Sequence, residues 1–256
     1  MRFVFFGTVP LAESVLEELA AANLVPEKVV NAYPTQELIE ELAESEWDVF
    51  VVASYGAILP KKLLDMPKRG VVNVHPSLLP RLRGPSPIRS AILNDEKNTG
   101  VSIMLLDEEM DHGPLIAQKK ITIPEWPPHG KDLDRLLARE GGKLLAAFLP
   151  LWVQKKVEAS EQNHDLATYC TLFTKEDGLL DLLADPYRNL LKIRAFEGWP
   201  GTYTFFERAG KRIRVGILDA HLDTSGALEI DRVKPEGKKE MGYEEFLRSG
   251  AKPLLS

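Results

Sequence analysis

Asn73 and His75 stand two residues apart where the apolar run Gly70–Val74 ends, in the stretch Asn73-Val74-His75-Pro76-Ser77-Leu78-Leu79-Pro80. In an extended chain that spacing sends both side chains to one side. An amide and an imidazole there could donate together to an oxygen that gains negative charge, and the imidazole could also move a proton. Pro76, Pro80 and the Leu78-Leu79 pair make the following loop stiff and apolar, which would hold the polar groups in place. A second polar segment, Asp107-Glu108-Glu109-Met110-Asp111-His112-Gly113, follows the next apolar run. One of its carboxylates beside His75 would fix the imidazole tautomer. Each segment alone also has a plainer reading: the first as a polar strand cap, the second as a solvated loop or a weak divalent-cation site. Their joint appearance on successive strand ends of one sheet favours catalysis.

The elements that must position these groups alternate over the first 150 residues. Arg2–Phe6, Val29–Ala32, Asp48–Ser54, Gly70–Val74, Val101–Leu106 and Leu115–Ile123 read as strands. Asp48–Ser54 is continuous and β-branched, the pattern of a strand buried on both faces. Leu11, Val15, Leu16 and Leu19 recur at helical spacing, and Thr35 reads as the N-cap of a helix that buries Leu38, Ile39 and Leu42. Further helices are predicted near Ile88–Leu93 and over Leu133–Val153, where Gly141-Gly142 weakens the helix without ending it. The alternation predicts an α/β class, a Rossmann-like, mostly parallel sheet with helices on both faces and ligands at the carboxyl ends of the strands. Residues 1–154 form the expected N-terminal domain and 155–170, which lose apolar period, a linker. Residues 171–256, with short runs at Thr202–Phe206, Arg212–Leu218 and Ala227–Ile230, read as a small C-terminal β-rich domain resembling a truncated barrel.

With 44% hydrophobic residues in 256, the chain can fill a real core, which excludes a disordered protein. No run approaches the ~18 apolar residues a membrane helix needs, and the opening MRFVFFGTVP reads as a strand rather than a secretion signal. The single cysteine, Cys170, cannot form an internal disulfide, so a cytoplasmic location is expected. Net charge is −6, so any nucleic-acid surface must be a local patch. Arg81, Arg83 and Arg89 form one candidate, Lys211, Arg212 and Arg214 another.

Asn73-Val74-His75-Pro76-Ser77-Leu78-Leu79-Pro80 with Arg83-Gly84, Thr99-Gly100-Val101 and Met110-Asp111-His112-Gly113 closely resembles the 10-formyltetrahydrofolate-dependent formyltransferases. Within that family, Phe6-Gly7-Thr8, Pro10, Ala12 and Ser54-Tyr55-Gly56-Ala57-Ile58-Leu59-Pro60 resemble the methionyl-tRNA branch, in a shortened form. Ala167-Thr168-Tyr169, Thr174-Lys175-Glu176-Asp177-Gly178, Ile193-Arg194-Ala195-Phe196, Trp199-Pro200-Gly201 and Pro235-Glu236-Gly237-Lys238-Lys239 extend the likeness through the C-terminal domain. Two features depart from it. The family's long basic loop after the second strand is missing, since Val30–Pro34 runs almost directly into a helix, and the C-terminal domain is abbreviated.

The resemblance implies a formyl transfer to a primary amine, with Asn73, His75 and Asp111 as the catalytic trio. It places the pteridine of the folate donor against the backbone of Ile58-Leu59 and of Leu106, Asp107 and Glu108, with Ser77 and Leu78 walling the pocket. No metal is implied. The acceptor it suggests is methionyl-initiator tRNA, a step of translation initiation. The missing basic loop leaves a nucleotide-linked amino sugar as the alternative acceptor. A folate- or tRNA-binding module without turnover is the alternative of another class. Arg83 and Gly84 stand either at the acceptor entrance or in a structural turn. His112, His129, His164 and His221 receive no role.

Overall fold

A computed structural model of the chain describes residues 1–254. The chain folds as two units. The first comprises Met1–Pro87, Asn98–Thr122 and Leu133–Thr171; the second comprises Ile88–Lys97, Ile123–Asp132 and the chain from Leu172 onward. The polar stretch 155–171 thus belongs to the first unit.

Six strands build the first sheet: β1 (Phe3–Gly7), β2 (Lys28–Val30), β3 (Val49–Ala53), β4 (Val71–His75), β5 (Thr99–Leu105) and β6 (Leu115–Ile121). They lie in the order β2-β1-β3-β4-β5-β6. The first four are parallel, as a run of buried β-branched strands implies. β5 runs antiparallel to β4, and β6 antiparallel to β5.

Helices cover both faces, as expected. Phe3, Phe5, Val49, Val51, Val72 and Val74 pack with Val15 and Leu19 of α1 (Leu11–Ala21) and with Leu145, Leu149 and Trp152 of the long helix Gly130–Val153. Val4, Phe6, Phe50, Val52 and Val71 point the other way, onto Leu42 of α2 (Gln36–Ala43) and Leu63 of α3 (Lys61–Leu64). Each such aromatic or aliphatic side chain contributes about 1.5–3 kcal/mol by leaving water. α2 starts where Thr35 Oγ1 accepts from the Leu38 N–H, the cap its sequence predicts. Because Val72 and Val74 face the first cluster, alternation turns Asn73 and His75 to the second face, with Val71.

The remaining helices are α4 (Pro87–Leu93), α5 (Gly130–Val153), α6 (Pro186–Ala195) and α7 (Tyr243–Arg248). α5 continues through Gly141-Gly142 because the glycines are what let it lie close. A Cβ on Gly141 would stand 2.5 Å from Cγ1 of the buried Val74. Gly141→Ala gains about 1 kcal/mol of helix propensity, but overpacking against a β-branched side chain costs about 1–3 kcal/mol. The clash outweighs the gain, and urea denaturation should show a net loss of up to about 2 kcal/mol. A gain in stability would mean that the helix can lift off the strand freely.

The second unit holds a five-stranded antiparallel sheet: β7 (Thr202–Arg208), β8 (Lys211–Leu222), β9 (Leu228–Pro235), β10 (Met241–Gly242) and β11 (Lys252–Pro253), in the order β10-β9-β8-β7-β11. Ile193 of α6 and Phe246 of α7 join Phe206, Val215, Ile217 and Val233 in its core. Asp185 caps α6 by accepting from the Arg188 N–H, and Pro186 follows at the first turn, a start signal the apolar periodicity alone did not reveal.

Candidate functional site

β4 delivers Asn73 and His75 to the same face, and the chain that follows fixes the imidazole. The ring is 4% exposed, and its Nε2 lies 3.0 Å from the Leu82 carbonyl oxygen. A carbonyl can only accept, so Nε2 carries a hydrogen. Leu82, not a carboxylate, therefore settles that end of the ring. Nδ1 faces Asp111, whose Oδ1 is 3.5 Å away. That separation exceeds an ordinary hydrogen bond, so the carboxylate adjoins Nδ1 without occupying it. The Asn73 side chain is half-buried, and no group among the described residues bonds it.

Asp111 arrives by a route that an all-parallel sheet would not need. Because β5 is antiparallel, His75 pairs with Ser102 and Val72 with Leu105, so the chain leaves β5 beside the start of β4. The expectation that the acidic segment emerges at the same strand ends as His75 is corrected by this register. The loop instead doubles back, and Asp111 takes a left-handed φ of 50° as it turns. Its Oδ2 accepts from the Gly84 N–H at 2.7 Å. Gly84 has φ 116°, and a Cβ there would meet the Cys170 carbonyl oxygen at 2.4 Å. Only glycine fits this crossing.

The Pro76–Pro80 loop is pinned as well as stiff. Ser102 Oγ donates to the Ser77 carbonyl and accepts from the Leu79 N–H, while Gln118 donates to the Leu79 carbonyl. Ser77 is 1% exposed and its hydroxyl donates to the Arg81 carbonyl, closing the turn. Leu78 is half-buried beside Gly100.

The segments named for the donor lie side by side. Leu59 and Leu106 share one apolar cluster, and Lys61 Nζ stands 3.0 Å from Glu108 Oε1. Hydrogen bonding to Glu108, then to Asp65, raises the Lys61 ammonium above its ordinary pKa. Ile58 is fully turned out, at 89% exposure. Asp107 accepts from the Glu109 N–H and bonds His112 Nδ1 at 2.8 Å. The acidic run is thus divided among separate partners, and among the described residues no group of His, Cys, Asp and Glu is arranged to hold a metal ion.

Of the two basic patches, the first loses its centre. Arg83 is 2% exposed, and its guanidinium donates to Gln162 Oε1 at 2.8 Å, to His164 Nδ1 at 2.8 Å and to Tyr169 Oη at 3.4 Å. It is a buried brace between the 80–84 segment and residues 162–169, and the structural-turn reading is the one that holds. Arg212 and Arg214 are exposed, and their guanidinium carbons lie 3.7 Å and 3.6 Å over the Phe205 and Tyr203 rings. His112 and His164, given no role in sequence, stack with ring centroids 4.2 Å apart. No periodicity or motif marks Gln162, and its place beside Asp111 is visible only in three dimensions. No helix among the described residues is long and apolar enough to cross a membrane.

Comparison with known proteins matches residues 9–149 to the formyl transferase family. The methionyl-tRNA formyltransferase of Caldanaerobacter subterraneus is 34% identical over 93% of this chain and 81% of its own. Among solved structures, Aquifex aeolicus HypX in complex with tetrahydrofolic acid superposes with a TM-score of 0.76 at 16% identity, over 96% of this chain and 47% of HypX. The methionyl-tRNA formyltransferase of Clostridium thermocellum superposes with a TM-score of 0.69 at 17% identity, over 92% of this chain and 99% of its own.

Proposed function

Because this chain belongs to the formyl transferase family, we propose that it transfers a formyl group from 10-formyltetrahydrofolate to the amino group of methionyl-initiator tRNA. The observation that carries the reading is the approach of Asp111 to Nδ1 of a buried His75 whose other nitrogen is already engaged.

The residues present suit a folate. Leu59 and Leu106 offer an apolar wall, the adjoining main chain offers donors and acceptors, and the Asn73 amide is left for a ligand among the described residues. Bound there, the folate supplies the formyl carbon and the nitrogen that departs from it. Asn73 Nδ2 donates to the formyl oxygen as it gains negative charge. Losing one donor of this kind costs ~10²–10³ in rate. His75 works through Nδ1, since Nε2 remains on Leu82, and it exchanges a proton with Asp111 Oδ1. Asp111, held by the Gly84 N–H, takes the proton of the incoming amine and returns it toward the leaving nitrogen.

An RNA acceptor is supported by the identity to a methionyl-tRNA formyltransferase over most of both chains and by the exposed Arg212 and Arg214 stacked on Phe205 and Tyr203. Cation and ring together suit a phosphate chain with bases beside it. The test compares formyl transfer to charged initiator tRNA with transfer to nucleotide-linked amino sugars, alongside filter binding over a salt series. Turnover on the tRNA with salt-sensitive binding is the expected result. Turnover confined to the amino sugars would replace the acceptor, and release of tetrahydrofolate with neither would leave only a binding module.

A further inference from the structure

Asp111 is not held by its carboxylate alone. Gln162, 4% exposed, stands directly behind it. Its Nε2 donates to the Asp111 carbonyl at 2.9 Å and to the Gly113 carbonyl at 2.7 Å, spending both amide hydrogens on the two sides of the turn. Its Oε1 accepts from Arg83 Nε at 3.2 Å and Nη2 at 2.8 Å. The amide is therefore saturated, and its orientation is forced, because a guanidinium can only donate and a carbonyl can only accept. Arg83 in turn donates to His164 Nδ1, and the His164 ring stacks on His112, the residue after Asp111. The turn carrying Asp111 is gripped from behind at its main chain and from the side at its neighbour.

We propose that Gln162 is a positioning residue for the transfer, one that sets the reach of Asp111 toward His75, with Arg83 fixing the orientation of Gln162. The proposal rests on the formyl-transfer reading and deepens it. The reach matters because the Asp111–His75 separation is 3.5 Å, at the outer limit of a hydrogen bond, where a displacement of about 1 Å can cost ~10² in rate. Gln162 is buried with both ends of its amide engaged by the protein. Its effect passes entirely through the acid.

Gln162→Glu tests this, because a carboxylate still accepts from Arg83, and pairs with its charge, but cannot donate to the two carbonyls. The two buried carbonyls lose their donor and face a carboxylate oxygen, so the folded variant should melt below the parent. It should bind a folate analogue with unchanged Kd and lose on the order of 10²-fold in kcat. In an Asp111→Asn background the same change should cost less than about twofold, since residues acting as one unit are not additive. A purely structural role would instead cost the same factor in both backgrounds. Should Gln162→Glu fail to fold, Gln162→Asn decides. It keeps the amide chemistry one methylene short of spanning Arg83 and the turn, and the same kcat loss and non-additivity are expected. A folded variant with kcat within twofold of the parent, or a full additional loss in the Asp111→Asn background, overturns the proposal. Absence of transfer by the unmodified protein would strike the formyl-transfer reading itself, a separate outcome from a fully active Gln162 variant.

Discussion

Replacing His75 with alanine is expected to lower kcat for formyl transfer by ~10²–10⁴-fold, the range for losing a positioned proton-transfer group. The structure says why the loss should be catalytic rather than a loss of fold. The imidazole lies at the end of β4, outside the valine and phenylalanine clusters that hold the sheet. Its removal leaves the Leu82 carbonyl with only the 3.8 Å contact from the Cys170 thiol, at a cost of about 1–3 kcal/mol. A domain of ordinary stability, about 5–15 kcal/mol, survives that. His75→Gln is the companion variant, because a glutamine amide can still donate toward Leu82. Both should retain near-parental near-UV circular dichroism and folate-analogue affinity while turnover collapses. Near-normal turnover in either would remove His75 from the chemistry.

Asp111→Asn should cost ~10²–10³-fold in kcat with little change in melting temperature. The distinction lies in its two oxygens. An asparagine Oδ1 can still accept from the Gly84 N–H, so the loop keeps its anchor. What disappears is the charged acceptor beside His75 Nδ1 and the ability to carry the amine proton. Asp111→Ala loses the anchor too, and should add a fall in melting temperature to the fall in rate. Equal melting temperatures in the two variants would show that the Gly84 contact does not anchor the loop, and an asparagine variant with near-parental kcat would remove Asp111 as the proton carrier.

What the chain announces in one dimension follows from short-range physics. Runs such as Val49–Ala53 are apolar at every position, which marks strands covered on both faces, and the Leu11–Leu19 spacing marks one buried stripe on a helix. The spacing of Asn73 and His75 suffices to put them on one face, because side chains alternate along any strand. Resemblance to the formyltransferases added Asp111, whose distance from His75 in sequence no local rule predicts.

The direction of β5 was not legible, since a buried strand has the same apolar pattern whether it runs parallel or antiparallel to its neighbour. That direction decides the path of the acidic loop, and so the left-handed turn at Asp111. Arg83 reads as a surface cation in sequence, yet it is buried because its partners, Gln162, His164 and Tyr169, arrive from a polar stretch about eighty residues on. Local pattern thus determined the elements, the face of Asn73 and His75, and the class of chemistry they could do. Only the folded chain decided which nitrogen of His75 is available, what holds Asp111 opposite it, and which polar side chains are interior. Those outcomes depend on hydrogen bonds between groups remote in sequence, and hydrogen bonding at that range leaves no periodic trace.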